Sequence, residues 1–128
     1  MDTVSTVLIL LCLLQIKHMF ADYFLQTPRM LSGRGEYWHM GRAQHAGVHS
    51  VFSALVLGIM GTTPVMMVVL VVGEWIVHFN IDWAKARYSE FRGYTPTQAG
   101  FWRAAGFDQA LHQLTYVGMV WIWAGAAL

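Results

Sequence analysis

The sequence predicts an all-α integral membrane protein, a single four-helix bundle running up-down-up-down over residues 1–128. Three observations lead there. The chain is 56% hydrophobic and 12% charged, against about 25% charged in an ordinary soluble domain, and its mean hydropathy is +0.45. Four apolar segments approach the ~20 residues that cross a hydrocarbon core. Each also carries a pair of ionisable residues four apart, which a helix places on one face. Lipid gives an open backbone no hydrogen-bond partners, so helices are favoured over strands.

The first segment is expected from Thr3 to Gln26, stopped by Thr27-Pro28. Its opening, MDTVSTVLILLCLL, lacks a basic n-region and a small-residue cleavage site, and so reads as a retained membrane helix rather than a signal peptide. Cys12 lies in this run; a lone cysteine builds no disulfide framework, and a small packing role is expected for it. The second segment runs from Gly41 to Met60 and stops at GTTP. The third runs from Pro64 to Tyr88, with proline at a favourable helix start. The fourth runs from Phe107 to Leu128. Gly47, Gly58, Gly73, Gly118 and Gly125 would permit close helix approach or contacts in a homo-oligomer. Met66 and Met67 read as packing residues.

Thr27 to Met40 and Ser89 to Gly106 form two polar loops, whereas Gly61 to Thr63 is a tight turn. Tyr37, Trp38, Trp83, Tyr88, Tyr94 and Trp102 flank the loops as interfacial anchors do. Arg29, Arg34, Arg42, Lys85, Arg87, Arg92 and Arg103 lie in or beside those loops, and the opposite side has no Lys or Arg. The positive-inside rule then puts both loops in the cytoplasm and both termini outside, in a bacterial inner membrane. With a net charge of +1, nucleic acid is not an expected partner.

The paired residues carry the chemistry. They are His18 and Asp22, His45 and His49, His78 and Asp82, and Asp108 and His112. Gln26 extends the first stripe, and Glu74 precedes His78 by one turn. The first and third segments hold their pairs near their C-terminal ends, the second and fourth near their N-terminal ends. In an alternating bundle all four pairs therefore meet at one depth, on the cytoplasmic side. Ionisable groups in membrane segments cost at least about 2.5–3.5 kcal/mol each near the helix centre, and they face a bundle interior and pair with one another.

HMFADYFLQT, QHAGVHS, HFNIDWAK and FDQALHQL resemble the motifs of an uncharacterised family of small bacterial and phage integral membrane proteins, the domain of unknown function 3307. The likeness covers nearly the whole chain. It implies that His18, Asp22, Gln26, His45, His49, His78, Asp82, Lys85, Asp108, Gln109 and His112 are the characteristic positions, on a four-helix membrane fold. It supplies no reaction.

Imidazole and carboxylate together suit Zn²⁺, Mn²⁺ or Fe²⁺. The expected ligands are His18, Asp22, His45, His49, His78, Asp82, Asp108 and His112. These exceed what one tetrahedral ion takes, so either two ions share them or some orient the others. Asp82 or Asp108 is expected as general base, with Gln26, Glu74 and Gln109 in support. Arg29, Arg42 and Lys85 would hold an anion. The reading is a metal-dependent hydrolase-like protein acting on a phosphorylated or lipid-linked substrate. A di-iron oxygenase shares the His-x3-His but has further His-His doublets that are absent here. The alternatives are non-enzymatic. Hydrogen bonds among His, Asp and Gln glue membrane helices, and aligned acids and histidines line ion or proton pathways.

Overall fold

A computed structural model describes residues 2–127. Among them are five helices and no strand. The first, α1 (Thr3–Tyr23), starts at Asp2, whose side chain accepts from the Ser5 amide at 2.9 Å. The Ser5 amide and hydroxyl together hold the Asp2 carboxyl below its ordinary pKa. A four-residue helix, α2 (Pro28–Leu31), follows, with Thr27 as its cap and Pro28 at its first position. Next come α3 (Met40–Ile59), closed by a turn in which Gly61 has φ +71°, and α4 (Pro64–Arg92), ended by Gly93 at φ +62°. These two turns need the left-handed region that glycine enters without penalty. The last helix is α5 (Ala99–Ala127).

The four expected segments are helical over most of their length, but three bounds move, the first segment ending at Tyr23 rather than Gln26. The third continues to Arg92 and the last begins at Ala99 rather than Phe107. The expected loop from Ser89 to Gly106 therefore shrinks to residues 93–98. Gly106 lies within α5 and does not interrupt it, because one helical glycine costs only about 1 kcal/mol.

The long helices pack in a ring. Both α1 and α4 rest on α3 and α5, while α2 lies on α3 alone. Directions alternate around it. Leu10 and Leu14 of α1 share one apolar core with Val56 and Leu57 late in α3, Leu70 early in α4, and Met119, Val120 and Trp123 late in α5. Met66 and Met67 pack against this core as expected. Trp123 Nε1 closes the end by donating to Thr62 Oγ1 at 2.7 Å. The polar pairs occupy the opposite end of the ring.

The outside is apolar. Ile59, Val65 and Trp121 are each more than three-quarters exposed. Two helices, α1 and α4, are long and apolar enough to cross a membrane by length and composition. The others are less apolar: α3 carries Arg42, Gln44, His45 and His49, and α5 carries Arg103, Asp108, Gln109 and His112. Two local expectations are corrected. Cys12 is exposed rather than packed. A Cβ at Gly47, Gly73, Gly118 or Gly125 would meet nothing, so these glycines serve no close helix approach within the chain. Gly41 does, since a Cβ there would collide with the carbonyl oxygen of Arg29.

Candidate metal centre

Each long helix turns one polar stripe inward, and the four stripes meet. Two carboxylates sit at the centre. Asp22 Oδ1 lies 3.3 Å from His45 Nε2 and 3.0 Å from His49 Nε2, and its Oδ2 lies 3.3 Å from His18 Nε2. Asp82 Oδ2 lies 3.3 Å from His78 Nε2 and 3.5 Å from His45 Nε2, while its Oδ1 is 3.1 Å from His112 Nε2. Five imidazoles thus aim Nε2 at two acids. The His49 and His78 rings are 3.9 Å apart between centroids, and those of His78 and His112 are 4.2 Å apart. All five are buried.

The arrangement fits a metal ion. Bonds of ~2.0–2.2 Å to nitrogen and oxygen hold the ligand atoms of one ion roughly 3.0–3.6 Å apart, which is the range of the His–Asp separations. Asp22, His45, His49 and His78 form one group whose donor atoms all lie within 4.8 Å of one another, and His78, Asp82 and His112 form a second. Buried polar atoms normally find partners, yet neither ring nitrogen of His78 has a hydrogen bond of good geometry. His78 is the residue the two groups share, and His45 and His49 likewise leave Nδ1 without a partner.

Six of the eight expected ligands fall in these groups, and the other two flank them. His18 is held by Tyr116 OH, 3.1 Å from its Nδ1, and by Gln109 Oε1, 3.2 Å from its Nε2. Asp108 Oδ1 lies 3.7 Å from His112 Nε2. Gln109 Nε2 donates to Asp22 at 3.3 Å and to Asp108 at 3.4 Å, so this side chain ties α1 to α5.

A pocket of about 160 Å³ opens over the cluster, lined among others by Asp22, Gln26, Arg34, His45, Asp82, Lys85, Asp108 and Gln109. Of the three cations expected to hold an anion, Lys85 lines it and Arg29 does not. Arg42 is directed elsewhere. Its guanidinium donates to the carbonyls of Glu36 and Tyr37, at 2.8 and 2.6 Å, and to that of Phe79, and it lies over the Phe79 ring. It pins the α2–α3 loop onto α4. Arg34, not among the expected cations, lines the pocket and donates to Gln26 Oε1 at 2.8 Å.

Glu74 reaches the cluster through another side chain. It forms an ion pair with Lys17, whose ammonium donates to the His49 carbonyl at 3.1 Å and sits 4.5 Å from the Tyr116 ring centroid. Lys17 and Tyr116 touch the cluster but do not figure among the residues expected from the sequence. Both had signals: a lone lysine in an apolar helix requires a counter-charge, and Tyr116 lies one turn beyond His112 on the same face.

No curated protein and no solved structure matches the chain. A family profile described as "Protein of unknown function (DUF3307)" matches residues 9–127. That span holds every residue of the cluster, the whole of α3, α4 and α5 and most of α1, and the chain belongs to this family.

Proposed function

We propose that the protein is a membrane-embedded, metal-dependent hydrolase-like protein of the bacterial inner membrane, acting on a phosphorylated or lipid-linked substrate. The observation that carries this reading is the convergence of five imidazoles and two carboxylates from four helices, six of these seven side chains falling in two groups at ligand spacing. Membrane embedding is supported by the outward apolar faces. Only 28% of the most apolar stretch of α1 and 22% of that of α4 is buried within the chain, where the core helix of a soluble protein would be mostly covered. Packing of α3 and α5 in the same ring supports their crossing as well. The distribution of Arg and Lys favours cytoplasmic loops and outward termini.

Asp22, His45, His49, His78, Asp82 and His112 would hold the ion, with His18 and Asp108 at its border. A bound ion of this kind lowers the pKa of a water ligand to about 7 and polarises an ester or phosphoryl oxygen. Asp108, at the pocket wall, is placed to accept a proton from water as general base. Gln109 fixes Asp22 and Asp108 relative to one another. Lys85 and Arg34 offer charge to an anionic group. Hydrolysis would consume one water and release an alcohol and an acid.

One observation favours a second reading, a structural polar core. Each carboxylate of Asp22 and Asp82 already has imidazole partners, so the pairs can bond the helices unaided. Transport is disfavoured, because Leu10, Leu14, Leu57 and Leu70 fill the other half of the ring. Metal analysis by inductively coupled plasma mass spectrometry separates the two main readings. Detergent-purified protein is expected to carry stoichiometric Zn, Mn or Fe. A His45→Ala/His78→Ala variant of unchanged helicity is expected to lose it. Metal-free protein after metal supply would turn the assignment to the structural core.

A further inference from the structure

Outside the polar cluster, an apolar groove of about 340 Å³ runs along the seam of α4 and α5. Ile81, Ala84, Tyr88, Ala104, Phe107 and Leu111 line it. Phe107 is 74% exposed and Tyr88 51%, so the groove opens sideways, toward the acyl chains if the ring stands in a bilayer. Its edge is formed by Lys85 and Asp108, and both residues also line the polar pocket over the histidines. The groove and the pocket are thus neighbouring compartments with a cation at their joint. Among the described residues Lys85 has no ion-pair partner, unlike Lys17 and Arg87.

The pocket's 160 Å³ is small beside the ~300–1,000 Å³ of ordinary ligand sites. It suits a compact head group such as phosphate. The apolar area that a ligand site normally supplies lies next door, in the groove. We propose that the substrate class is a lipid phosphate, whose phosphate enters the polar pocket beside Lys85 and Arg34 while its hydrocarbon chain lies in the α4–α5 groove, reached laterally from the bilayer. This rests on the metal reading above, in which a bound cation would add to Lys85 and Arg34 in offsetting Asp22, Asp82 and Asp108, which face the same pocket.

The test uses the full-length protein in liposomes with dodecyl phosphate carrying a mid-chain diazirine, beside the matched dodecanol probe. Photolysis and peptide mapping are expected to label residues 81–111 at least five-fold more with the phosphate probe. Ala84→Trp fills the groove, and Lys85→Glu reverses the charge at the joint. Each is expected to remove that preference, and wild-type metal content in either variant certifies its fold. Equal labelling by phosphate and alcohol would reveal only boundary lipid and overturn the proposal. So would labelling confined to other seams, or hydrolysis of a soluble aryl phosphate that dodecyl phosphate fails to inhibit. That last result would leave the hydrolase reading standing. Phosphate-selective groove labelling in protein without metal would instead support the lipid site and overturn the metal reading alone.

Discussion

Lys17 and Glu74 form an ion pair in which both side chains are out of solvent, at 5% and 2% exposure, directly beneath the histidines. Desolvating two charges costs several kcal/mol per ion, and their attraction repays it only while both are present. Removing one leaves an uncompensated buried charge, worth about 3–5 kcal/mol. Lys17→Met or Glu74→Leu alone is therefore expected to lower the thermal unfolding midpoint in detergent sharply. The double variant is expected to recover most of the loss. Singles and double that are equally unstable would mean that Lys17 acts mainly through the His49 carbonyl. The contrast with the histidine stripes shows what was legible in the sequence at this scale. His18–Asp22 and His78–Asp82 could be paired on paper because a helix places i and i+4 together. Glu74 could not be paired with Lys17, because its partner lies 57 residues away on a different helix. Arg42 misled for the same reason. Its charge suggested an anion, but three backbone carbonyls brought near by folding occupy it.

The helices themselves were legible wherever hydropathy and stop signals agreed. Gly61 and Pro64 marked their ends nearly to the residue, whereas α1 stops at Tyr23, three residues before the end that Thr27-Pro28 suggests. The start of α5 was not legible, since Arg103 and two glycines, Gly100 and Gly106, interrupt the residues before Phe107, and Gly106 resembles a stop although its helix passes through it. The short helix α2 was also missed, because four residues carry no periodicity. Its position depends on Gly41, where the α3 backbone meets the Arg29 carbonyl with no room for a Cβ. Gly41→Ala must displace α2 or bend α3, a strain of about 1–3 kcal/mol. A lower unfolding midpoint is expected, together with faster proteolysis between Thr27 and Met40, while metal content stays unchanged. Unaltered proteolysis would show that the loop adapts without cost. The five glycines singled out in the sequence behave differently, because helical spacing alone does not say which face meets a neighbour.

At the scale of the whole molecule, alternation accounts for the layout. Polar pairs late in α1 and α4 and early in α3 and α5 share one end of the ring, and the leucine and tryptophan core fills the other. Depth was therefore legible before any coordinates, whereas the order of helices around the ring was not. It is set by which apolar faces fit. If the ring spans a membrane, the same alternation makes a sharp statement about sidedness. The 93–98 loop, joined to α4 with its Lys85, Arg87 and Arg92, belongs in the cytoplasm, and the Gly61–Thr63 turn belongs outside. Thr63 and Thr97 are both exposed, and Thr63 makes no capping hydrogen bond, so a cysteine fits at either. In a Cys12→Ala background, Thr63→Cys is expected to react with an impermeant maleimide added to spheroplasts. Thr97→Cys is expected to react only after the membrane is opened. The reverse pattern would invert the protein and move the metal centre to the outer leaflet. Labelling of both cysteines from one side would mean that α4 does not cross, and the metal centre would then have to be explained as the polar end of a bundle lying on the membrane.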